Sequence, residues 1–140
     1  MSEQDNLTFI EAYLDNWRKN PPDLRDVFHP EGTLLPPGNS EPVDVAGAQR
    51  IVEGTRKAIP DVSLEILHWA ERDGHIFIEW EMKGTIRGKN VTWRGINRNL
   101  LRGSKSIEAV SYWDRQSLFD QVSVTTDGAD LTQTIEREAT

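Results

Sequence analysis

The stretch DVSLEILHWAERDGHIFIEWEMKGTIRGKNVTWRGINRNLLRGSKSIEAVSYWD, residues 61–114, decides the fold. It divides into four runs that alternate with a period of two. Val62, Leu64, Ile66 and His68 share a face of the first run, with Ser63 and Glu65 opposite. Ile76, Ile78, Trp80 and Met82 oppose Phe77, Glu79, Glu81 and Lys83 in the second. Val91, Trp93, Gly95 and Asn97 oppose Thr92, Arg94, Ile96 and Arg98 in the third. Glu108, Val110, Tyr112 and Asp114 oppose Ile107, Ala109, Ser111 and Trp113 in the fourth. A period of two sends successive side chains to opposite faces, the pattern of half-buried antiparallel strands. Arg72-Asp73-Gly74, Arg87-Gly88-Lys89-Asn90 and Arg102-Gly103-Ser104-Lys105 separate the runs and suit hairpins. A sheet of this kind must bury one face against other elements.

Those elements come from the preceding chain. Leu7, Ile10, Tyr13, Leu14 and Trp17 recur at helical spacing, and Asn20-Pro21-Pro22 stops the helix. Asp23 is expected to cap a short second helix carrying Leu24, Val27 and Phe28. His29-Pro30-Glu31-Gly32 reads as a turn, and Thr33 to Leu35 as a short strand. Asp44 should cap a third helix that buries Ala48, Ile51, Val52, Thr55 and Ile59. Beyond Asp114, Leu118, Phe119 and Val122 offer apolar anchors. Residues 125–140 turn polar and acidic and read as a tail, flexible or ordered only against a partner chain. The expectation is one α+β domain over residues 1–124. In it, N-terminal helices cover a cone-shaped, curved antiparallel sheet and leave a small-molecule pocket inside.

Composition narrows the partners. The chain of 140 residues has a formal net charge of −7, with Lys and Arg scattered, which argues against a nucleic-acid surface. Cysteine is absent, so disulfides and thiolate chemistry are excluded. No apolar run is long enough to span a bilayer, and a cytoplasmic protein is expected. Five Trp suit either core packing or the walls of an apolar pocket. No His, Asp and Glu spacing suggests a metal, and no phosphate loop or dinucleotide fingerprint occurs, so no cofactor is expected.

The order of local features resembles the SnoaL-like polyketide cyclases, within the nuclear-transport-factor-2-like fold. Tyr13 and Trp17 on the first helix, Phe28-His29-Pro30-Glu31-Gly32, and Gly47 with Ile51 carry the resemblance. So do Ile59-Pro60-Asp61-Val62, Gly84-Thr85-Ile86-Arg87-Gly88 and Ile107 to Gln121. The resemblance implies a conical pocket lined by the sheet's inner face, with acid–base residues on the later strands. Three positions depart from it: Ile86 replaces a frequent His, Val110 a common Trp, and Glu79 a common Arg.

The resulting candidates are explicit. Asp114, in a position where the family keeps an Asp, is the candidate general base, with capping of a C-terminal turn as the plainer role. Tyr112 is the candidate oxyanion donor, and His68 the polar handle or a hydrogen-bonded structural residue. Trp80, Tyr13, Trp17, Ile78 and Val110 are the expected substrate-binding residues, each with simple packing as its alternative. The leading reading is a cofactor-free cyclase or isomerase acting on a small apolar molecule. A non-catalytic ligand-binding or dimerisation module is the alternative. Epoxide hydrolysis ranks last, because Ile78-Glu79-Trp80 lacks the Asp-Arg-Asp constellation of that branch. A homodimer is expected through an outer sheet face carrying Phe77, Ile96, Ile107 and Trp113.

Overall fold

The computed structural model describes residues 2–122, so the tail expected over 125–140 lies outside the described residues. The first helix, α1, runs from Glu3 to Arg18, and the Ser2 hydroxyl caps it by accepting from the Asp5 N–H at 3.0 Å. Its inward face is rotated from the expected stripe. Asn6, Phe9 and Asn16 are buried, whereas Leu7 is exposed. Phe9 stands off the expected stripe, with Asn6 one turn before it and the Tyr13 ring 6.0 Å away one turn after. Asn16 uses its side-chain oxygen to accept from the Asp23 N–H at 2.7 Å, so burial leaves that group satisfied.

The expected second helix shrinks to a single 3₁₀ turn over Leu24–Asp26. Phe28 belongs instead to a strand, β1, that spans Phe28–Leu35. The expected turn at His29 to Gly32 is therefore an irregular part of that strand, where its register shifts between Phe28 and Thr33. The short β2, Val43–Asp44, pairs with it and leads directly into α2, Val45–Ala58. The Asp44 carboxylate caps α2 by accepting from the Gly47 N–H at 2.8 Å, as the sequence indicated. The Gln49 side chain fixes α2 to the preceding segment. It accepts from the Leu24 N–H at 2.8 Å and donates to the Pro22 carbonyl at 2.7 Å. Arg56 donates to the Trp17 carbonyl at the end of α1.

Four long strands follow: β3 (Ser63–Arg72), β4 (His75–Ile86), β5 (Lys89–Arg102) and β6 (Lys105–Trp113). They pair antiparallel in sequence order, joined by tight turns. Asp73 and Gly74 have φ of 54° and 83°, and Arg87 and Gly88 of 51° and 79°. Positive φ at both central residues matches the right-handed twist of the flanking strands. The full sheet has the order β2-β1-β6-β5-β4-β3. It is mixed rather than wholly antiparallel, because β1 lies parallel to β6. With β2 and β3 at opposite edges, α2 must carry the chain across the sheet, and it roofs the inner face as it does so.

Two register shifts reset which side chains face inward. In β3 the pairing steps from Ile66 opposite Trp80 to His68 opposite Glu79, leaving Leu67 as the extra residue. In β6 the pairing steps from Ser106 opposite Leu101 to Glu108 opposite Leu100, leaving Ile107 extra. An extra residue moves every later side chain to the other face. A third helix, α3 (Arg115–Val122), closes the described chain and buries Leu118, Phe119 and Val122. None of the described helices is long and apolar enough to cross a membrane.

Candidate functional site

Between α1, α2 and the inner face of the sheet lies a cavity of about 550 Å³. Trp17, Trp80, Trp93 and Trp113 all line it. Three of these form a continuous wall. Trp113 stands edge-on to Trp80 with ring centres 6.5 Å apart, and tilted against Trp93 at 6.3 Å. Gly95 makes the wall possible. A Cβ there would come within 2.7 Å of the Trp113 Cβ and would run into the Trp80 ring. The absence of a side chain lets the Trp80 ring and the Trp113 Cβ close over Gly95.

One polar strand of contacts crosses this wall. The Trp80 indole N–H donates to the Asn97 side-chain oxygen at 3.0 Å. The Asn97 amide then donates to the Tyr13 hydroxyl oxygen at 3.1 Å. Tyr13 therefore accepts from the sheet, and its own hydrogen is left to donate. The hydroxyl donates to no other side chain or carbonyl among the described residues. Burial pushes the Tyr13 hydroxyl above the ordinary tyrosine pKa, so it stays neutral and protonated. Asn99, two residues along the same inward face, also lines the cavity. Its side-chain oxygen accepts from the Ser106 hydroxyl at 3.0 Å, and its amide nitrogen has no partner.

The rim is built from Pro36, Pro37, Gly38 and Asn39, with Arg50 on α2 and Arg115 at the start of α3. Arg115 lies against Gly38, whose φ is +83°; a Cβ there would sit 2.9 Å from the guanidinium. No Asp, Glu or His among the described residues lines the cavity. Nor do the described residues hold a group of three His, Asp or Glu side chains placed to bind a metal.

Of the expected site residues, Trp80, Tyr13 and Trp17 line the cavity. Ile78 shares the inner face but is sealed in the core. The other four face away. Val110 and Tyr112 stand opposite Arg98 and Ile96 on the outer face, and Tyr112 is 56% exposed. The phase of β6 follows from its register: Gly95 pairs with Trp113, so Ala109, Ser111 and Trp113 point inward. Asp114 is exposed, and its carboxylate accepts from the Gln116 N–H at 2.9 Å at the head of α3, which is the capping alternative. His68 is exposed opposite Glu79, moved there by the bulge at Leu67. Asn97 and Asn99 were the residues the sequence reading passed over. Their signal was present: two amides at alternate positions on a face otherwise built of Val91, Trp93 and Gly95.

The model of the SnoaL-like domain matches residues 9–109, most of the chain. The chain belongs to the SnoaL-like family. No curated protein matches the SnoaL-like chain in sequence. Solved structures do match its fold. One is a protein from Jannaschia sp. CCS1 classed as a SnoaL-like polyketide cyclase, 13% identical, with a TM-score of 0.74 over 89% of this chain and 97% of that one. Another is a protein of ketosteroid isomerase-like fold from Catenulispora acidiphila, in complex with trimethylamine. It is 19% identical, with a TM-score of 0.74 over 85% and 95%. IdmH from Streptomyces antibioticus, classed as a polyketide cyclase, is 16% identical, with a TM-score of 0.70 over 86% and 97%. At these identities the likeness establishes the α+β fold of the SnoaL-like chain, and its activity must be argued from the cavity.

Proposed function

We propose that this SnoaL-like protein binds a mostly apolar small molecule carrying a carbonyl oxygen. The observation that carries the reading is the Tyr13 hydroxyl. Its oxygen is engaged by Asn97, and its hydrogen is available inside an aromatic enclosure. A donor fixed in a low-dielectric cavity favours a ligand acceptor strongly, because water competes poorly there. The volume of about 550 Å³ suits a molecule of two to four rings.

The same donor would stabilise negative charge developing on the ligand oxygen, the electrophilic half of enolisation or ring closure. Proton abstraction by a carboxylate or imidazole has no candidate among the described lining residues. Binding, with electrophilic activation of a carbonyl, is therefore preferred over the Asp114–Tyr112 acid–base pair.

Quenching of tryptophan emission tests the reading with 2-acetylnaphthalene and its deoxygenated counterpart 2-ethylnaphthalene. The ketone should bind the tighter of the two. Tyr13→Phe should weaken the ketone about five- to tenfold and leave the hydrocarbon unchanged. Failure of both compounds to quench would overturn the proposal.

We also propose that two copies pair through the outer sheet face. Phe77, Ile96 and Tyr112 are exposed there on adjacent strands, while Trp113, expected on that face, turns inward. Glu79, Arg98 and Glu108 supply both signs of charge around them. Such a mixed patch can meet its own copy across a two-fold axis without net repulsion.

A further inference from the structure

We infer that the ligand of the cavity is an anion, held by Arg50 at the rim while its apolar body lies against the tryptophan wall. The inference rests on the cavity being a binding site, and it adds the charge of what binds. The chain carries 23 acidic residues against 16 basic ones, yet no acidic side chain among the described residues lines the cavity. Two guanidinium groups do, those of Arg50 and Arg115. The usual fate of an arginine on so acidic a surface is a carboxylate partner, as Arg94 finds in Glu81 at 2.8 Å and Arg98 in Glu108 at 3.1 Å. Arg50 has none among the described residues.

Position strengthens the argument. Arg50 sits on α2 immediately before Ile51, with Thr55 one turn further on, and all three line the cavity. Arg115 lies against Gly38 in the rim loop. A cation such as Arg50 beside low-dielectric walls concentrates a positive potential at the opening. Arginine in particular matches the planar geometry of a carboxylate or sulfonate. At the other end, the Asn99 amide nitrogen is buried without a partner, and Asn99 lines the cavity as Tyr13 does. A ligand oxygen at that end would meet donors, never a second negative charge. The ligand class is thus an aromatic or alicyclic acid, negatively charged at the rim and bearing at most neutral acceptors within.

Two dyes with one skeleton provide the test: 8-anilinonaphthalene-1-sulfonate, an anion, and N-phenyl-1-naphthylamine, its neutral counterpart. Energy transfer from the lining tryptophans reports binding of each. Ile51→Trp, which fills the cavity, should abolish both signals and so place them inside; far-UV circular dichroism checks that the variant folds. The anion should bind the wild type at least about tenfold more tightly than the neutral dye, and added salt should erode the difference. Arg50→Ala should remove most of that preference without weakening the neutral dye, and Arg50→Lys should retain part of it. Equal affinities in the wild type, or a preference that survives Arg50→Ala intact, overturn the anionic ligand and leave the cavity as a binding site. No binding of either dye overturns both readings.

Discussion

Gly95 and Trp113 face each other across β5 and β6, and the Trp113 Cβ borders the space left by the missing side chain. Trp80 closes over the same gap from β4 and reaches Asn97. Gly95→Ala should therefore push both rings off the strand and separate Trp80 from Asn97. Overpacking of this kind costs about 1–3 kcal/mol. Urea unfolding should show the loss, and near-UV circular dichroism should show the tryptophan wall disturbed.

Asn97 accepts from Trp80 within the sheet and donates to Tyr13 on α1. Asn97→Leu keeps the volume and removes both, stranding the Trp80 N–H in an apolar setting. A stranded buried donor costs about 1–3 kcal/mol. Asn97→Leu should also weaken 2-acetylnaphthalene, because the Tyr13 hydroxyl loses the partner that orients it. A variant as stable as wild type with unchanged ketone binding would remove Asn97 from this role.

Asp114 offers the opposite outcome. It caps α3 from outside the cavity, so Asp114→Ala should cost about 1 kcal/mol of stability through the lost cap. Binding of the ketone and of both dyes should stay at wild-type strength. A loss of binding in the folded variant would return Asp114 to the site.

The response to acid follows from three carboxylates. Hydrogen bonds and charge from Arg25 lower Asp23 to about 2. Thr85, donating from both its hydroxyl and its N–H, lowers Asp61, and Arg94 lowers Glu81. Each group binds its proton more weakly in the folded chain than in the unfolded one. Their contribution is complete above the unfolded carboxylate range and drains away as pH falls through the lower folded values. Urea midpoints should hold steady from pH 7 down to about 5 and fall below about 4. Glu81→Gln should make that fall shallower.

For the outer face, sedimentation equilibrium should return the mass of two chains. Ile96→Arg sets a charge in the centre of the exposed Phe77, Ile96 and Tyr112 patch and should return the mass of one. A single-chain mass for the wild type would dismiss the pairing.

The fold was readable because its signals are local. Alternation marks four strands, Asp73-Gly74 and Arg87-Gly88 carry the φ their turns require, and Asp44 caps α2 where a cap was expected. The site was only half readable because facing is not a local property. One extra residue at Leu67 sends His68 outside, and another at Ile107 brings Ala109, Ser111 and Trp113 inside. Ala109 and Ser111 look like surface residues in the sequence. The register turns both inward, and Ala109 lines the cavity, where a small side chain leaves room. Asn16 is a like case on α1, since an amide with a partner can be buried where a bare polar group cannot.

The rim at Pro36 to Asn39 and the roof from Val43 through Ile59 belong to a single uninterrupted segment, which gives the sheet only the two-residue edge strand β2 before β3 begins. Much of the opening and one half of the roof are consequently written in one cassette, separate from the strands that supply the wall. Exchanging that cassette between relatives would transplant the rim contacts, Arg50 among them, while the rest of the scaffold keeps its own register.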